Sequence, residues 1–410
     1  MQSRDSISSQ VGILIAATSC VQLANGYFGT FFALRVALKD FGPALNGLVL
    51  SGYFAGFTVG ALFCGRLIER FGHIRAYAAF AGMVVAATAM MPLLIDALPW
   101  IVLRAVIGVG CAGIFVTTES WLNSKAPPDE RGRVFSIYMV GSFVALGLGQ
   151  IMVGRIGLET PAPFNVVIGL FAVALVLVST TRAEAPRIAA DAPLPYGLLS
   201  RSAPVAVVGA ALSGFVSGIF YSLIPAWMQG KGIDVGSIGV FMLTAVLGGL
   251  AFQIPVGRLS DRFDRRMVLA GLGAGLAVTS VVLIHLPRDW AVVLPAAAMF
   301  GGLMSTFYPV CVAHAHDRMP ADRVVAVSGR LILLFGVGSV IGPLIGSGLI
   351  DVFDIDGVLY LVAAAALLLA VVAVSRSLIK APPPHLDRPF EILAPQAAPL
   401  AHDALATTDK

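Results

Sequence analysis

Twelve apolar runs, each close to the length of a membrane-spanning helix, alternate with short polar breaks along the chain. The runs are continuous rather than alternating, and about 20 apolar residues in a helix cross the hydrocarbon core of a bilayer. The breaks carry the glycine and proline chemistry of turns. The pattern therefore predicts twelve membrane-spanning helices. Their predicted bounds are 11–34, 46–65, 76–95, 99–122, 134–154, 163–180, 204–227, 237–257, 267–286, 291–314, 325–350 and 357–375.

The composition places most of this chain in lipid. Apolar residues make up 58% of the 410 and charged residues only 12%, roughly half the charged share of a soluble domain. No soluble globule could bury that much apolar surface, and lipid requires backbone groups to be satisfied within each segment. The predicted fold class is an all-α integral membrane protein. The four cysteines lie inside apolar runs without CxxC spacing, which indicates buried thiols rather than a metal site. We expect no cofactor and no metal.

The basic residues predict the orientation in the membrane. With both termini in the cytoplasm, cytoplasmic segments hold 21 of the 27 lysines and arginines, the opposite side holds five, and Arg104 lies inside a span. Cytoplasmic loops of membrane proteins carry such an excess. The scatter of these charges over short loops also argues against nucleic-acid binding. The sequence therefore predicts a multi-pass protein of the inner (plasma) membrane with cytoplasmic termini.

A repeated motif divides the chain into two halves. Residues 65–75 read GRLIERFGHIR, and residues 257–266, 192 positions later, read GRLSDRFDRR. The same offset relates Gly47 to Gly239 and Gly154 to Gly346. Repeats in register across several spans indicate a duplicated membrane transporter. The predicted domains are a six-helix bundle at 1–180, a flexible cytoplasmic linker at 181–202, a second bundle at 203–376 and a disordered cytoplasmic tail at 377–410.

These motifs resemble the signature of the major facilitator superfamily, Gly-x-Leu-x-Asp-Arg-x-Gly-Arg-Arg/Lys. The second copy departs from it at Asp264, and the first copy has Glu69 for the aspartate and His73 for a basic residue. Arg104 followed by GVG at 108–110 is similar to a second family mark in the fourth helix. The stretches GVGCAGIFVTTES (108–120) and FYPVCVAHA (307–315) resemble the YcaD-like branch. The resemblance implies two six-helix bundles around a central cavity, which rock between inward-open and outward-open states.

The two signature loops are the candidate gates. Their glycines allow a tight reversal between closely packed helices. A carboxylate at the end of a span can face a helix N-terminus of the other bundle, and a contact made in only one rocking state biases the equilibrium. The alternative is a basic loop that only sets topology. The candidate gating residues are Gly65, Glu69, Arg70, Gly72, Gly257, Asp261, Arg262 and Arg265.

Polar and aromatic residues on four spans are the candidate substrate contacts. Arg104 heads one face of the fourth span, and a charge inside a span is costly and usually faces a cavity or a partner. It could hold an anionic substrate, communicate with a proton site, or bridge helices through carbonyls. The other polar residues could equally bond only between helices. The candidate cavity residues are Gln22, Asn25, Arg104, Phe115, Ser217, Tyr221, Phe307 and Tyr308.

Glu119 and His314 are the candidate proton-coupling pair. Glu119 shares a face with Arg104, and His314 falls at a similar depth in the tenth span of the second half. A desolvated carboxylate and an imidazole can both exchange protons as water access alternates. The alternative for Glu119 is a structural ion pair with the loop that carries Arg70.

Three functions are compatible with the sequence. The first is a proton-coupled secondary carrier for efflux of an amphiphilic or drug-like compound, since the cavity carries few charges. The second is an uptake carrier for a small organic anion held by Arg104. The third is a membrane sensor without transport. No HExxH, GxSxG or Walker motif is present, which argues against an enzyme. The expected partners are a small-molecule substrate, protons and the lipid bilayer, and the expected state is a monomer.

Overall fold

The computed structural model describes residues 2–39, 41–127, 130–181, 197–287, 289–320 and 323–379. These residues form thirteen helices and no strand. The helices are α1 (Gln2–Ala37), α2 (Pro43–Phe71), α3 (His73–Met90), α4 (Ala97–Lys125), α5 (Arg131–Gln150), α6 (Ala162–Ser179), α7 (Leu198–Ser202), α8 (Pro204–Gly230), α9 (Val235–Arg262), α10 (Arg265–His285), α11 (Trp290–His316), α12 (Val324–Phe353) and α13 (Gly357–Ile379).

Twelve of these helices are long and apolar enough to cross a membrane, and only the five-residue α7 is not among them. The prediction of an all-α membrane protein with twelve spans is therefore confirmed. The seventh to twelfth predicted spans correspond to α8–α13. Spans in sequence alternate in direction. We call the side at which residue 10 and residue 379 lie the terminal side, and the other the opposite side.

Several helices extend beyond the predicted spans. Helix α1 already begins at Gln2, because the polar residues before residue 11 continue the helix. The repeated motifs are mostly helical: α2 runs to Phe71 and α9 to Arg262. What the sequence indicated as basic loops are thus helix ends joined by very short breaks. Helix α7 occupies part of the predicted flexible linker, while 182–196 and the tail from 380 lie outside the described residues.

Small residues bring the helices close together within each half. A side chain at Gly56 of α2 would meet the backbone of Ala105, and one at Gly108 of α4 would meet that of Tyr53. Between α8 and α12, Gly214 lies against the backbone of Phe335. In lipid, where apolar side chains gain little by leaving the solvent, such close approach provides the packing that holds helices together. These close contacts hold α2 against α4 and α8 against α12.

The two halves meet along α2–α12 and α5–α9. Toward the opposite side, the Oγ of Ser51 donates a hydrogen bond of 2.8 Å to the carbonyl of Val340. A Cβ at Gly47 would lie 3.0 Å from the carbonyl oxygen of Pro343. In the second seam, a Cβ at Gly239 would lie 2.6 Å from the carbonyl oxygen of Gln150. Both seams are therefore closed on the opposite side of the molecule.

Candidate functional site

A buried arginine, Arg104 of α4, is surrounded by aromatic rings. Arg104 of α4 is 6% exposed. Its Cζ lies 4.6 Å from the ring centre of Phe32, 4.7 Å from that of Tyr53 and 5.2 Å from that of Phe28. A guanidinium over aromatic faces gains about 0.5–2 kcal/mol per favourable contact. The rings accordingly hold the cation in place, but they supply no hydrogen-bond acceptor in the plane of its N–H groups.

Arg104 has no ionic partner in the part of the chain that the structure describes. The ion pairs found there join other residues, and the Nε of Arg104 has no hydrogen-bond acceptor. A buried guanidinium without a carboxylate leaves its fork of N–H donors available. The site can therefore accept an anionic group.

The guanidinium lines a cavity built from both halves. About 580 Å³ of space, which includes open solvent at its mouth, lies between α1, α2, α4, α5 and α8. Gln150 at its wall is fixed, because its Nε2 donates to the carbonyl of Gly26 at 2.8 Å and its Oε1 accepts from Thr30 at 2.7 Å. Asn25 lies beside it, with its Oδ1 3.6 Å from the Sγ of Cys111. Tyr221 and Ser222 contribute the wall from α8.

The structure brings together only part of the predicted substrate set. Asn25, Arg104 and Tyr221 line the central cavity. The others are placed as follows: Gln22, Phe115, Ser217 and Phe307 are buried, and Tyr308 packs its ring 5.1 Å from that of Phe335. The Oε1 of Gln22 is buried without a hydrogen-bond partner.

Sequence reasoning missed the aromatic cage and Gln150. Phe28 and Phe32 are spaced four residues apart on α1, and Tyr53 is on α2. Phe28 and Phe32 follow the polar positions of the first span, so their helical spacing was a usable signal. For Gln150 the sequence offers no usable signal, because a glutamine in a span can equally well bond only between helices. The hydrogen bonds of Gln150 do link α5 to α1.

Glu119 is completely buried in α4, at 0% exposure. The hydroxyl of Tyr138 in α5 donates a hydrogen bond of 3.1 Å to its Oε1. The alternative partner, Arg70, is exposed, and its Cζ lies 5.2 Å from the ring centre of Phe71. The structural ion pair between Glu119 and Arg70 is thus not present in this state.

His314 is also buried, at 1% exposure, at the terminal-side end of α11. Charged groups of its own half surround it, among them Arg266, Arg318 and Asp264. The contacts found for Glu119 and for His314 each lie within one half. The two candidate proton carriers accordingly occupy separate environments in this state.

The second signature copy is a network of ion pairs at the terminal side. Arg265 binds Asp261 at 3.2 Å and the Oδ2 of Asp317 at 2.7 Å, and it donates to the Oγ of Ser260 at 2.9 Å. This one side chain ties the end of α9 to the end of α11. Asp261 is partly exposed, at 36%, while Arg265 is buried. Arg262 is exposed, and Gly257 is buried in α9.

A second arginine secures α13. Arg266 pairs with Asp264 at 2.6 Å and donates to the carbonyl of Arg376 at 2.8 Å. Burial alone would raise the pKa of Asp264, but the hydrogen bonds and charge of Arg266 outweigh it and hold the pKa below its ordinary value. The carboxylate that replaces the signature glycine therefore neutralises a buried guanidinium.

The first signature copy is simpler. Glu69 is exposed and Gly65 has open space around it. Gly72 has φ 78° between α2 and α3, a conformation that favours glycine. His73, at the position equivalent to Arg265, packs its ring 5.5 Å from Trp121 and lies 3.1 Å from the Oγ of Ser120. The first half thus tethers α3 to α4 through a stacked histidine, where the second half uses ion pairs.

A bundle of twelve apolar helices around a cavity shared by two halves defines a multi-pass membrane transporter. The family model of the Major Facilitator Superfamily matches residues 14–248 and residues 206–402. The chain belongs to this superfamily, whose members reside in membranes as transporters, and the resemblance predicted from the signature loops is confirmed.

Similar proteins agree with this assignment. The chain is 31% identical over 357 residues to the "Uncharacterized MFS-type transporter YcaD" of Escherichia coli and of Shigella flexneri, covering 87% of this chain and 92% of that protein. The resemblance to the YcaD-like branch is confirmed, and the chain is a multi-pass protein of bacterial inner-membrane type.

Solved structures share the fold at low identity. The nucleoside transporter NupG matches with a TM-score of 0.72 at 12% identity, covering 90% of this chain and 98% of that one. A bacterial homologue of the human lysosomal transporter Spinster, in an inward-facing and occupied conformation, matches with a TM-score of 0.69 at 16% identity, covering 91% and 96%.

Proposed function

We propose that this chain is a secondary carrier that moves a small organic anion across the inner membrane by alternating access. In this proposal Arg104 binds the anionic group. The observation that carries it is the buried, ring-enclosed guanidinium that lacks a carboxylate partner within the described residues and lines the central cavity. The established class is a transporter of the superfamily, and the proposal adds the charge of its substrate.

The argument rests on the cost of a buried charge. Removing an ion from water costs several kcal/mol even after relaxation, and an arginine stays protonated in proteins. The three rings offset part of that cost. A carboxylate, sulfonate or phosphate would supply the planar, bidentate acceptors that a guanidinium binds best. A substrate anion would therefore complete the coordination of Arg104.

This charge favours the anion carrier over efflux of a cationic drug-like compound. A cation in the cavity would be repelled by Arg104, and a neutral compound would leave the N–H groups of the guanidinium unsatisfied. The other polar residues of the lining are neutral: Asn25, Thr30, Tyr53, Gln150, Tyr221 and Ser222. The binding site consequently selects for one negative charge.

In this proposal the terminal side is cytoplasmic, because the basic residues concentrate there. The seams closed on the opposite side then make this the inward-facing state. Reporter fusions after Ser377 and within 185–195 should both report cytoplasm. A fusion that reports the outside would reverse this orientation.

The driving force we assign is the proton gradient, coupled at Glu119. Glu119 is a fully buried carboxylate that accepts a hydrogen bond from the hydroxyl of Tyr138, and an ionisable group within a span is costly to keep charged. It lies on the helix that also carries Arg104, so its protonation can respond to substrate binding. His314 is the corresponding candidate of the second half.

The test is counterflow in proteoliposomes. Labelled hexanoate and hexanesulfonate should exchange in wild-type vesicles, and hexanol, the neutral control, should show no exchange above protein-free liposomes. The apparent affinity of Arg104→Gln for the anions should be about 10- to 150-fold lower, because the variant loses one hydrogen bond to a charged group. Arg104→Lys should retain part of it, because it keeps the charge but not the bidentate fork. Equal affinity of wild type and Arg104→Gln for the anions would refute the proposal.

A further inference from the structure

An apolar crevice lies in the α2–α12 seam, between the closed contacts of the opposite side and the terminal side. The space in it is about 530 Å³ when the open solvent at its mouth is counted. Its mouth lies at Leu62, which is 51% exposed. The side chains that face each other across it are apolar on both helices. They include Phe54, Phe57 and Ala61 of α2, and Ile332, Leu333 and Phe335 of α12.

Two of the three polar side chains that line this crevice, Thr58 and Ser339, already make hydrogen bonds within the protein. The hydroxyl of Thr58 donates to the carbonyl of Phe54 at 2.8 Å. The hydroxyl of Ser339 donates to the carbonyl of Phe335 at 2.9 Å and lies 3.1 Å from that of Gly214. The third polar side chain, Tyr53, lies at the end that the crevice shares with the Arg104 cavity. The crevice is therefore suited to a hydrocarbon or aromatic group.

The crevice and the Arg104 cavity are neighbours. Tyr53 and Phe54 line both of them, and the ring of Tyr53 lies 4.7 Å from the Cζ of Arg104. Two predicted cavity residues pack against aromatic residues of the crevice. The ring centre of Phe115 lies 6.2 Å from that of Phe57, and the ring centre of Tyr308 lies 5.1 Å from that of Phe335. One molecule could consequently reach from the cation into the apolar seam.

We infer that the substrate is an amphipathic monoanion, with its charged head at Arg104 and its apolar body in the α2–α12 crevice. This inference rests on the proposed anion transport and adds the nature of the rest of the molecule. A single cation in the lining matches a single negative charge. The crevice disfavours a sugar or nucleoside body, because their hydroxyls would be buried without partners.

The position of the crevice gives the body of the substrate a mechanical role. The crevice continues the seam that is closed on the opposite side, because the same faces of α2 and α12 form both. Gly47 and Ser51 contact α12 there, and Thr58 contacts Gly336 farther along. The apolar body of a substrate between α2 and α12 would contact both halves. As the halves rock, it would hold them apart in one state and connect them in the other. Substrate occupancy would thus act directly on the moving interface.

The experiment measures binding of acetate, butanoate, hexanoate and octanoate to the purified full-length protein in nanodiscs, with empty nanodiscs as the blank. Each added methylene that enters the crevice should tighten binding about three- to fourfold. Ala61→Phe, which fills the mouth of the crevice, should abolish this gain while acetate binds as in wild type. The matched control is Ala86→Phe on the exposed face of α3, which should keep the gain.

The outcomes separate this inference from the proposed function. If all four acids bind with equal affinity in wild type, or if Ala61→Phe keeps the chain-length dependence, the amphipathic substrate is refuted while anion binding stands. If Arg104→Gln binds the whole series as wild type does, anion recognition itself is refuted. Parallel loss of affinity for all chain lengths in Arg104→Gln, with the gain per methylene preserved, is the result we expect.

Discussion

The closed seam between the halves gives a sharp prediction about the conformational equilibrium. A Cβ at Gly239 of α9 would lie 2.6 Å from the carbonyl oxygen of Gln150 across the α5–α9 seam. Real Cβ atoms do not approach backbone that closely, so Gly239→Ala must push the two helices apart in this state. We expect the substitution to favour the state that opens on the opposite side.

The size of the shift follows from the packing. Overpacking of a tight interface costs about 1–3 kcal/mol, and a cost present in one state only changes the equilibrium between states about 5- to 150-fold. The matched control is Gly271→Ala in α10, where a Cβ meets nothing within 4 Å. Both changes gain the same helix propensity of about 1 kcal/mol, so only the seam differs between them.

Double electron–electron resonance can measure this shift. Spin labels at Leu45 and Phe353, both exposed at the opposite side, report the distance between α2 and α12 in nanodiscs. Gly239→Ala should increase the population with the longer distance, while Gly271→Ala should match the parent. Identical distance distributions for the two variants would show that the seam does not restrain the equilibrium.

Three further predictions concern charged residues. Asp261→Asn should insert and fold normally but lose most transport, since it breaks a pair with Arg265 at the terminal-side end of α9. Transport near wild type would mean that the motif only sets the topology. Glu119→Gln should abolish proton-driven accumulation while sparing exchange at equal concentrations, whereas loss of both would indicate a structural role. Asp264→Asn should lower the melting temperature, because the buried Arg266 loses the carboxylate with which it pairs at 2.6 Å, and removing one partner of a buried ion pair costs about 3–5 kcal/mol. Because the pKa of Asp264 is lowered in the folded state, its stabilising effect should be complete above its unfolded pKa and be lost as the pH falls through the folded one.

The spans could be predicted because lipid imposes a simple code. Twelve continuous apolar runs sufficed to predict the number of membrane spans, since every spanning segment must satisfy its own backbone. The ends of the helices could not be predicted in this way, because polar residues continue a helix once it leaves the bilayer. Residues 65–71 illustrate this: the motif looked like a basic loop, yet α2 ends only at Phe71 and the break is Gly72.

The site was predictable only at its centre. Arg104 stood out because a charge inside an apolar run requires a reason. Its enclosure by Phe28, Phe32 and Tyr53 depends on the packing of α1 and α2 against α4, which the order of residues does not reveal. The ion pair of Arg265 with Asp317 joins positions 52 apart, and such partners are set by helix crossing rather than by local pattern.

The measurement that tests the central claim most directly is a structure of the protein with an iodinated carboxylate, such as 4-iodobenzoate. The account predicts the carboxylate oxygens at about 2.7–2.9 Å from the guanidinium nitrogens of Arg104, with the iodine located by anomalous scattering toward the α2–α12 crevice. An iodine signal confined to other surfaces, with the guanidinium still enclosed by its three rings and no ligand beside it, would contradict the account.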